Sequence, residues 1–264
     1  VTPKRQLGNP KPRIFRLEKD EALINRLGFN NHGSEIISQR ISNNQPNGLL
    51  GINIGPNKDT KNKEEDYYKC LSKMFMYADY ITINISSPNT EGLRDFHDQN
   101  EMEKLLTGLN KIKKDKKINQ PIAIKLSPDI SDSEISRIVE LIKKHNIQGI
   151  VISNTTDRNR ENLEDIKKIE AGGLSGKPLK DISTNLIKKF YKETKGKIKI
   201  IGVGGVDSGQ SAFEKITAGA DAIQLYTGMV YKGPGIVKDI KKELISILKK
   251  ENLVKISEAV GINA

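Results

Sequence analysis

The chain has 264 residues, enough for one large domain with a sizeable core, and 36% of them are hydrophobic. Lysine and arginine total 44 against 33 acidic residues, a net charge of +11, but no aromatic-interleaved basic motif accompanies it; this reads as a lysine-rich solvated surface rather than a nucleic-acid interface, with attraction to an anionic membrane left open. The single cysteine, Cys70, excludes an internal disulfide and fits a reducing compartment, and no apolar run is long enough to span a bilayer.

Residues 1–17 are Pro-rich and basic, and read as a loop with a short strand over 13–17. A brief helical piece is expected next, followed by an amide-rich turn beginning at Asn25 and a helix over 33–43. From there strands and helices alternate. Strands are expected over 49–54, 80–85, 121–126, 149–153, 198–203 and 222–226. Helices are expected over 64–77, 99–113, 131–144, 181–194, 208–218 and 235–250. Ser131 and Glu134 have capping-box spacing, His145 closes the same helix, and Cys70 reads as a core filler beside Tyr67, Leu71 and Phe75.

Six β/α units with nearly continuous apolar strands indicate a parallel α/β fold. The strand ends carry chemistry: Asn53, the stretch 86–90, Lys125, Asn154 with Thr155 and Thr156, Gly204 with Gly205, and Tyr226 with Thr227. An open sheet would scatter these groups, whereas a (β/α)8 TIM barrel gathers its strand C-termini at one mouth. The barrel is therefore expected, as one domain over 1–264. A barrel needs eight strands, so the first one or two are expected to lie outside this chain, with Thr2 and Pro3 at the exit of the second.

The stretch 80–94, YITINISSPNTEGLR, passes from a β-branched strand into a loop of hydroxyls and amides. Such neutral donors and acceptors suit a polar, uncharged ring better than a metal ion. The glycine loops at 202–205 and 171–178, with Tyr226-Thr227-Gly228, favour a bound phosphate over three unrelated turns. Neither loop is a dinucleotide fingerprint or a P-loop. Lys125 either points into the barrel, where it would stabilise negative charge on a ligand, or outward past the helices. The three histidines lack ligand spacing, so no metal is expected, and Asp129 and Asp207 read as helix-entry residues.

These motifs resemble the class 2 dihydroorotate dehydrogenases, flavin enzymes of pyrimidine synthesis. The matching segments, in order, include VTPKRQLGNPKPRIFRL, INRLGFNNHG, INISSPNTEGLR, IAIKLSPD, SNTT, GGLSGKPL, IIGVGGVDSG and QLYTG. The resemblance implies FMN at the strand C-termini and oxidation of dihydroorotate to orotate. A base in the INISSPN loop takes the C5 proton while the C6 hydride passes to the flavin. That position is Ser87, which implies a quinone acceptor, with Thr90 and water as the proton exit. The substrate turn would be Asn25, Arg26, Leu27, Gly28 and Phe29, joined by Asn84, Asn89, Asn154 and Thr155. Asn53, Asn84, Lys125, Ser153, Gly176, Gly205, Tyr226 and Thr227 would hold FMN, the last three at the phosphate end. The family also implies an N-terminal helical piece that meets the membrane and admits quinone, and a first strand with a lysine-bearing loop; neither occurs in this sequence. Peripheral attachment to a bacterial or mitochondrial inner membrane is thus expected of the parent, and solubility of these 264 residues alone. Other expectations weighed are a class 1-like or other dihydropyrimidine-oxidising flavin barrel, and an inactive binding remnant.

Overall fold

The computed structural model describes residues 1–90 and 92–264. The chain opens with an antiparallel pair, β1 (Ile14–Leu17) and β2 (Ala22–Asn25), in register from Ile14↔Asn25 to Leu17↔Ala22. The brief helical piece expected after the first strand is absent. Residues 18–21 form a tight turn instead, with Glu21 at φ 46°, and the apolar Ala22, Leu23 and Ile24 go straight into a strand.

The alternation then follows: α1 (Ser34–Asn43), β3 (Gly51–Ile54), α2 (Lys63–Met74), β4 (Tyr80–Asn84), α3 (Gln99–Asp115), β5 (Ile122–Leu126), α4 (Asp132–Lys144) and β6 (Gly149–Ile152). The Ser131–Glu134 capping box starts α4 and His145 is its C-cap. Next comes β7 (Gly173–Gly176), a strand where the sequence suggested only a Gly-rich loop. It pairs antiparallel with β2, Asn25 opposite Gly173 and Ala22 opposite Gly176. The chain finishes with α5 (Lys180–Thr194), β8 (Lys199–Val203), α6 (Gly209–Thr217), β9 (Ala222–Gln224), α7 (Thr227–Lys232) and α8 (Ile236–Lys250).

Strands β3, β4, β5, β6, β8 and β9 form one parallel sheet in chain order, and β1, β2 and β7 a separate antiparallel one. The six-stranded sheet with its outer helices is a partial (β/α)8 barrel. Along each strand alternate residues face opposite sides. Ile52, Ile54, Ile81, Ile83, Ile122, Ile124, Ile150, Ile152 and Ile200 enter the main core with the helices. The concave side receives the intervening residues, which pair Thr82 with Ala123 and Asn84 with Lys125. Tyr67 of α2 is fully buried, donates its hydroxyl to the Asn84 carbonyl at 2.6 Å and meets the Phe96 ring edge-on at 5.7 Å. The end of β4 is thereby fixed by a core aromatic. Cys70 is also fully buried, and burial pushes its thiol up to about 12, as a core filler requires.

Candidate active site

Two cavities open beside one another at the C-terminal ends of the parallel strands. The first encloses ≈ 600 Å³ including its mouth, and its wall carries Leu27, Gly28, Phe29, Asn30, Ser87 and four further asparagines. These four come from three places: Asn25 ends β2, Asn84 ends β4, and Asn89 and Asn154 follow β4 and β6. Asn89 Nδ2 donates to the Asn25 carbonyl at 2.9 Å. Asn154 Nδ2 donates to Asn84 Oδ1 at 3.2 Å and to Ser86 Oγ at 3.0 Å, while its Oδ1 accepts the Thr155 N–H at 2.8 Å. Each of these four amides is thus oriented by protein partners, and among the described residues no charged side chain lines this cavity. Ser87 is 6% exposed. Its Oγ accepts the Asn89 N–H at 3.3 Å, and among the described residues its own proton has no acceptor.

The second cavity encloses ≈ 680 Å³ and shares Asn25, Asn154 and Thr155 with the first. Among the described residues Lys125 is its one charged wall residue, and no carboxylate lines it. The ammonium has no hydrogen bond or ion pair among the described residues, and burial pushes it down to about 8. The inward orientation of Lys125 is therefore the one observed. At the other end lie Gly176, Gly204, Gly205, Tyr226, Thr227 and Gly228. Gly205 has φ +66°, and a Cβ there would sit 2.5 Å from the Lys180 Cβ, so only glycine fits. Among the described residues the Gly204 and Gly205 N–H groups donate to no protein oxygen. The first N–H groups of α7 are free of helical partners by position. Ser153 lines the middle of the wall and donates its hydroxyl to the Asn154 carbonyl at 3.0 Å. An unpaired cation at one end and unpaired N–H groups at the other fit an elongated ligand with an anionic end.

A family model of dihydroorotate dehydrogenase matches residues 1–248. The chain belongs to the dihydroorotate dehydrogenase family. It is 44% identical over 263 residues to the dihydroorotate dehydrogenase (quinone) of Bartonella tribocorum, covering 98% of this chain and 73% of that one. The Vibrio parahaemolyticus protein of the same name is 46% identical over 252 residues, 92% of this chain and 74% of that one. Among solved structures, the Eimeria tenella dihydroorotate dehydrogenase in complex with ferulenol superposes with a TM-score of 0.95 at 36% identity, covering all of this chain and 77% of that one. The ligand-free form from the same organism gives 0.94 at 37% identity, with 100% and 80% coverage.

Two family positions expected at the site line neither cavity. Arg26 pairs with Glu170 at 2.8 Å and stacks its guanidinium on the Phe15 ring at 4.4 Å, joining the 170–172 loop to β1. Asn53 is exposed; it pairs with Thr82 on the concave side, and its carbonyl accepts from the Val1 ammonium at 2.6 Å. Thr90, the expected proton exit, is buried and also lines neither cavity, while the remaining expected positions lie on one or both walls.

Other site features of this dehydrogenase chain had no role assigned from sequence. Arg94 bonds Asp129 at 3.0 Å, Asp157 at 3.1 Å and the Thr155 carbonyl at 3.4 Å. Thr156 Oγ1 donates to Asp129 Oδ1 at 2.6 Å. Asp129 is therefore a clamp residue rather than merely a helix-entry residue. Burial raises the Asp157 carboxyl, but the hydrogen bond and charge of Arg94 outweigh it, and the group ends below the usual range. The clamp joins the loops after β4, β5 and β6 directly behind Thr155. Its members were visible as the last residue of SSPNTEGLR, the Asp of SPD and the second Thr of SNTT. On β7, Ser175 hydrogen-bonds Thr227 across 2.9 Å. Gly173 permits the close approach of that strand, because a Cβ there would meet Thr155 Oγ1 at 1.9 Å.

Proposed function

We propose that residues 1–264 form the flavin-binding barrel domain of a quinone-linked dihydroorotate dehydrogenase, which oxidises dihydroorotate to orotate where the two cavities meet. The observation that carries this reading is their common wall of Asn25, Asn154 and Thr155. A pyrimidine ring in the amide-lined cavity would there adjoin a flavin in the larger one. Asn25, Asn84, Asn89 and Asn154 offer the alternating donors and acceptors that such a ring presents. Leu27, Gly28 and Phe29 close its outer side.

The larger cavity suits FMN, with the phosphate at Gly205, Tyr226 and Thr227 and the ring nearer Lys125. Ser153 and Gly176 complete its wall. When bound, this flavin accepts a hydride from the substrate and passes the electrons to a quinone. Ser87 acts as the base that takes the C5 proton. A serine hydroxyl is a weak base near neutral pH, so it acts as the hydride leaves and the C5–H becomes acidic. Its location within the closed wall, with the hydroxyl proton uncommitted, supports that role. Thr90, buried three residues further on, passes the proton to water. Lys125 stabilises negative charge that builds on the ring beside it.

The acceptor is a membrane quinone, reached by peripheral association. Among the described residues no helix is long and apolar enough to cross a membrane. The test is spectroscopic. Purified protein carrying flavin should lose its yellow colour when dihydroorotate is added without oxygen, and regain it with quinone. Flavin that stays oxidised in the presence of dihydroorotate would refute the assignment.

A further inference from the structure

Lys215 lies on α6, outside both cavities, and is 0% exposed. Its ammonium donates to Ser183 Oγ at 2.6 Å, Thr184 Oγ1 at 2.9 Å and the Lys180 carbonyl at 3.1 Å. All three acceptors are neutral and belong to the first turns of α5. Among the described residues no carboxylate bonds to it. Glu214, beside it on α6, is held by Lys180 at 3.2 Å, and Asp181 lies 3.7 Å from that same ammonium. A buried ammonium without a counter-ion is costly, and neutral dipoles offset that cost only in part.

The three acceptors lead towards the larger cavity. Ser183 Oγ, which accepts from Lys215, lies 3.3 Å from the Gly204 carbonyl as its donor. Gly205 packs on the Lys180 backbone, where a Cβ would come within 2.6 Å of its Cα. The N–H groups of these two glycines are the unpaired donors at the cavity's anion-accepting end. Lys215 thus stands directly behind the loop whose open face awaits negative charge, with the Ser183 hydroxyl between them.

We propose that Lys215 is a positioning residue whose buried charge is matched by the anionic group held on the Gly204–Gly205 loop, which it fixes through Ser183 without touching the ligand. The inference rests on the flavin reading above, in which that group is the phosphate of FMN.

Burial pushes Lys215 down to about 7, Glu214 and Asp181 draw it back up, and Lys180 opposes them. Among the described residues no group on α8, β9 or the C-terminal turn against α6 shifts it. Arrival of a dianion raises its proton affinity, so binding near pH 8 draws a proton onto the lysine. The phosphate of FMN is already a dianion at that pH, its second pKa being about 6, and contributes no proton of its own.

The experiment compares FMN with riboflavin, which lacks the phosphate. The chain freed of flavin is titrated with each by flavin fluorescence, and by calorimetry at pH 8 in two buffers of different ionisation enthalpy. The expected result is greater proton uptake with FMN than with riboflavin, since Lys125 meets the ring that both flavins share and only FMN brings the anion to the Lys215 end. Lys215→Met should weaken FMN about 10- to 100-fold, change riboflavin less than about threefold, and abolish the excess uptake. Equal weakening of both flavins, as a purely structural role gives, would overturn the proposal. If the variant does not fold, the unmodified chain decides: FMN binding with no greater proton uptake than riboflavin overturns it equally. A chain that binds neither flavin would instead refute the underlying flavin assignment, and this proposal with it.

Discussion

Replacing Lys125 by methionine should stabilise the flavin-free protein while impairing the site. The side chain is apolar and of similar length, and among the described residues Lys125 has no protein partner to lose. Its ammonium falls from 10.5 to about 8 through burial, which at about 1.4 kcal/mol per pH unit corresponds to about 3 kcal/mol. The cavity is open to solvent, so the realised effect is about 1–3 kcal/mol. The folded-state pKa lies below the unfolded one, so between those values the unfolded chain binds more protons and stability rises with pH. The lysine's cost is therefore full below about pH 8 and fades as the pH climbs towards 10.5. Thermal melts at pH 7 should show Lys125→Met melting higher by about 2–12 °C, at about 2–4 °C per kcal/mol. At pH 10 the gap should shrink below about 1 kcal/mol. A variant less stable than the parent at pH 7, or a gap that ignores pH, would refute the reasoning. Flavin binding should weaken in the same variant, which separates this effect from ordinary core repair.

Ser87→Ala should retain flavin but reduce it with dihydroorotate about 10²- to 10⁴-fold more slowly, as followed by stopped-flow absorbance at 450 nm or thereabouts; normal turnover would remove Ser87 as the base. Arg94→Ala leaves the Asp129 carboxylate, 6% exposed, without its cation, and should cost about 2–3 kcal/mol in urea unfolding and raise the KM for dihydroorotate by loosening the loop behind Thr155. Among the described residues the buried Nε2 of His97 has no partner, and burial, aided by the Arg94 charge and opposed by Glu134, pushes the imidazole down to about 4. Its unfolded form protonates first, so stability should fall as pH drops from about 6.5 to about 4 and level off below. His97→Phe should remove up to about 3 kcal/mol of that acid loss, read as the difference between parent and variant melts across the window.

The strands that the sequence reveals are those whose outward residues are isoleucines. Ile81 and Ile83, Ile122 and Ile124, and Ile150 and Ile152 form the core under the helices, and the hydrophobic pattern alone marks them. β7 was hidden because Gly173-Leu174-Ser175-Gly176 has no strand propensity. Its conformation comes from pairing with β2 and from the space that Gly173 leaves beside Thr155. The same dependence on distant partners hid the hairpin turn at 18–21, which local propensity suggested as helix. At the site, residue type alone marked the hydroxyls and amides of 86–90 as suited to a ring, and the family resemblance supplied the other neutral motif residues. Arg26 and Asn53 belong to equally recognisable motifs but lie off the cavity walls, since a motif records a neighbourhood and leaves each side chain's direction to the packing. Arg94, Asp129 and Thr156 were on view in three motifs, and only their meeting in space reveals the clamp.

Among the described residues, a few buried nitrogens without partners lie away from the cavities, at Arg94, His97 and Arg160, but four such groups meet at the site. Lys125's ammonium, the hydroxyl proton of Ser87 and the N–H groups of Gly204 and Gly205 all border the two joined cavities. The opposite faces of the same strands bury isoleucine against helix. A buried polar group left unpaired costs about 1–3 kcal/mol, so several in one place weaken the ligand-free protein. The cost is tolerated where a ligand supplies the missing partners, and the cluster therefore marks the ligand's outline: a cation-seeking ring at one end and an anion at the other. It follows that flavin should act as a structural component of this barrel. On the proposed reading, FMN should raise the melting temperature by more than riboflavin does, because the phosphate that riboflavin lacks would be the group that meets the glycine end of the cavity.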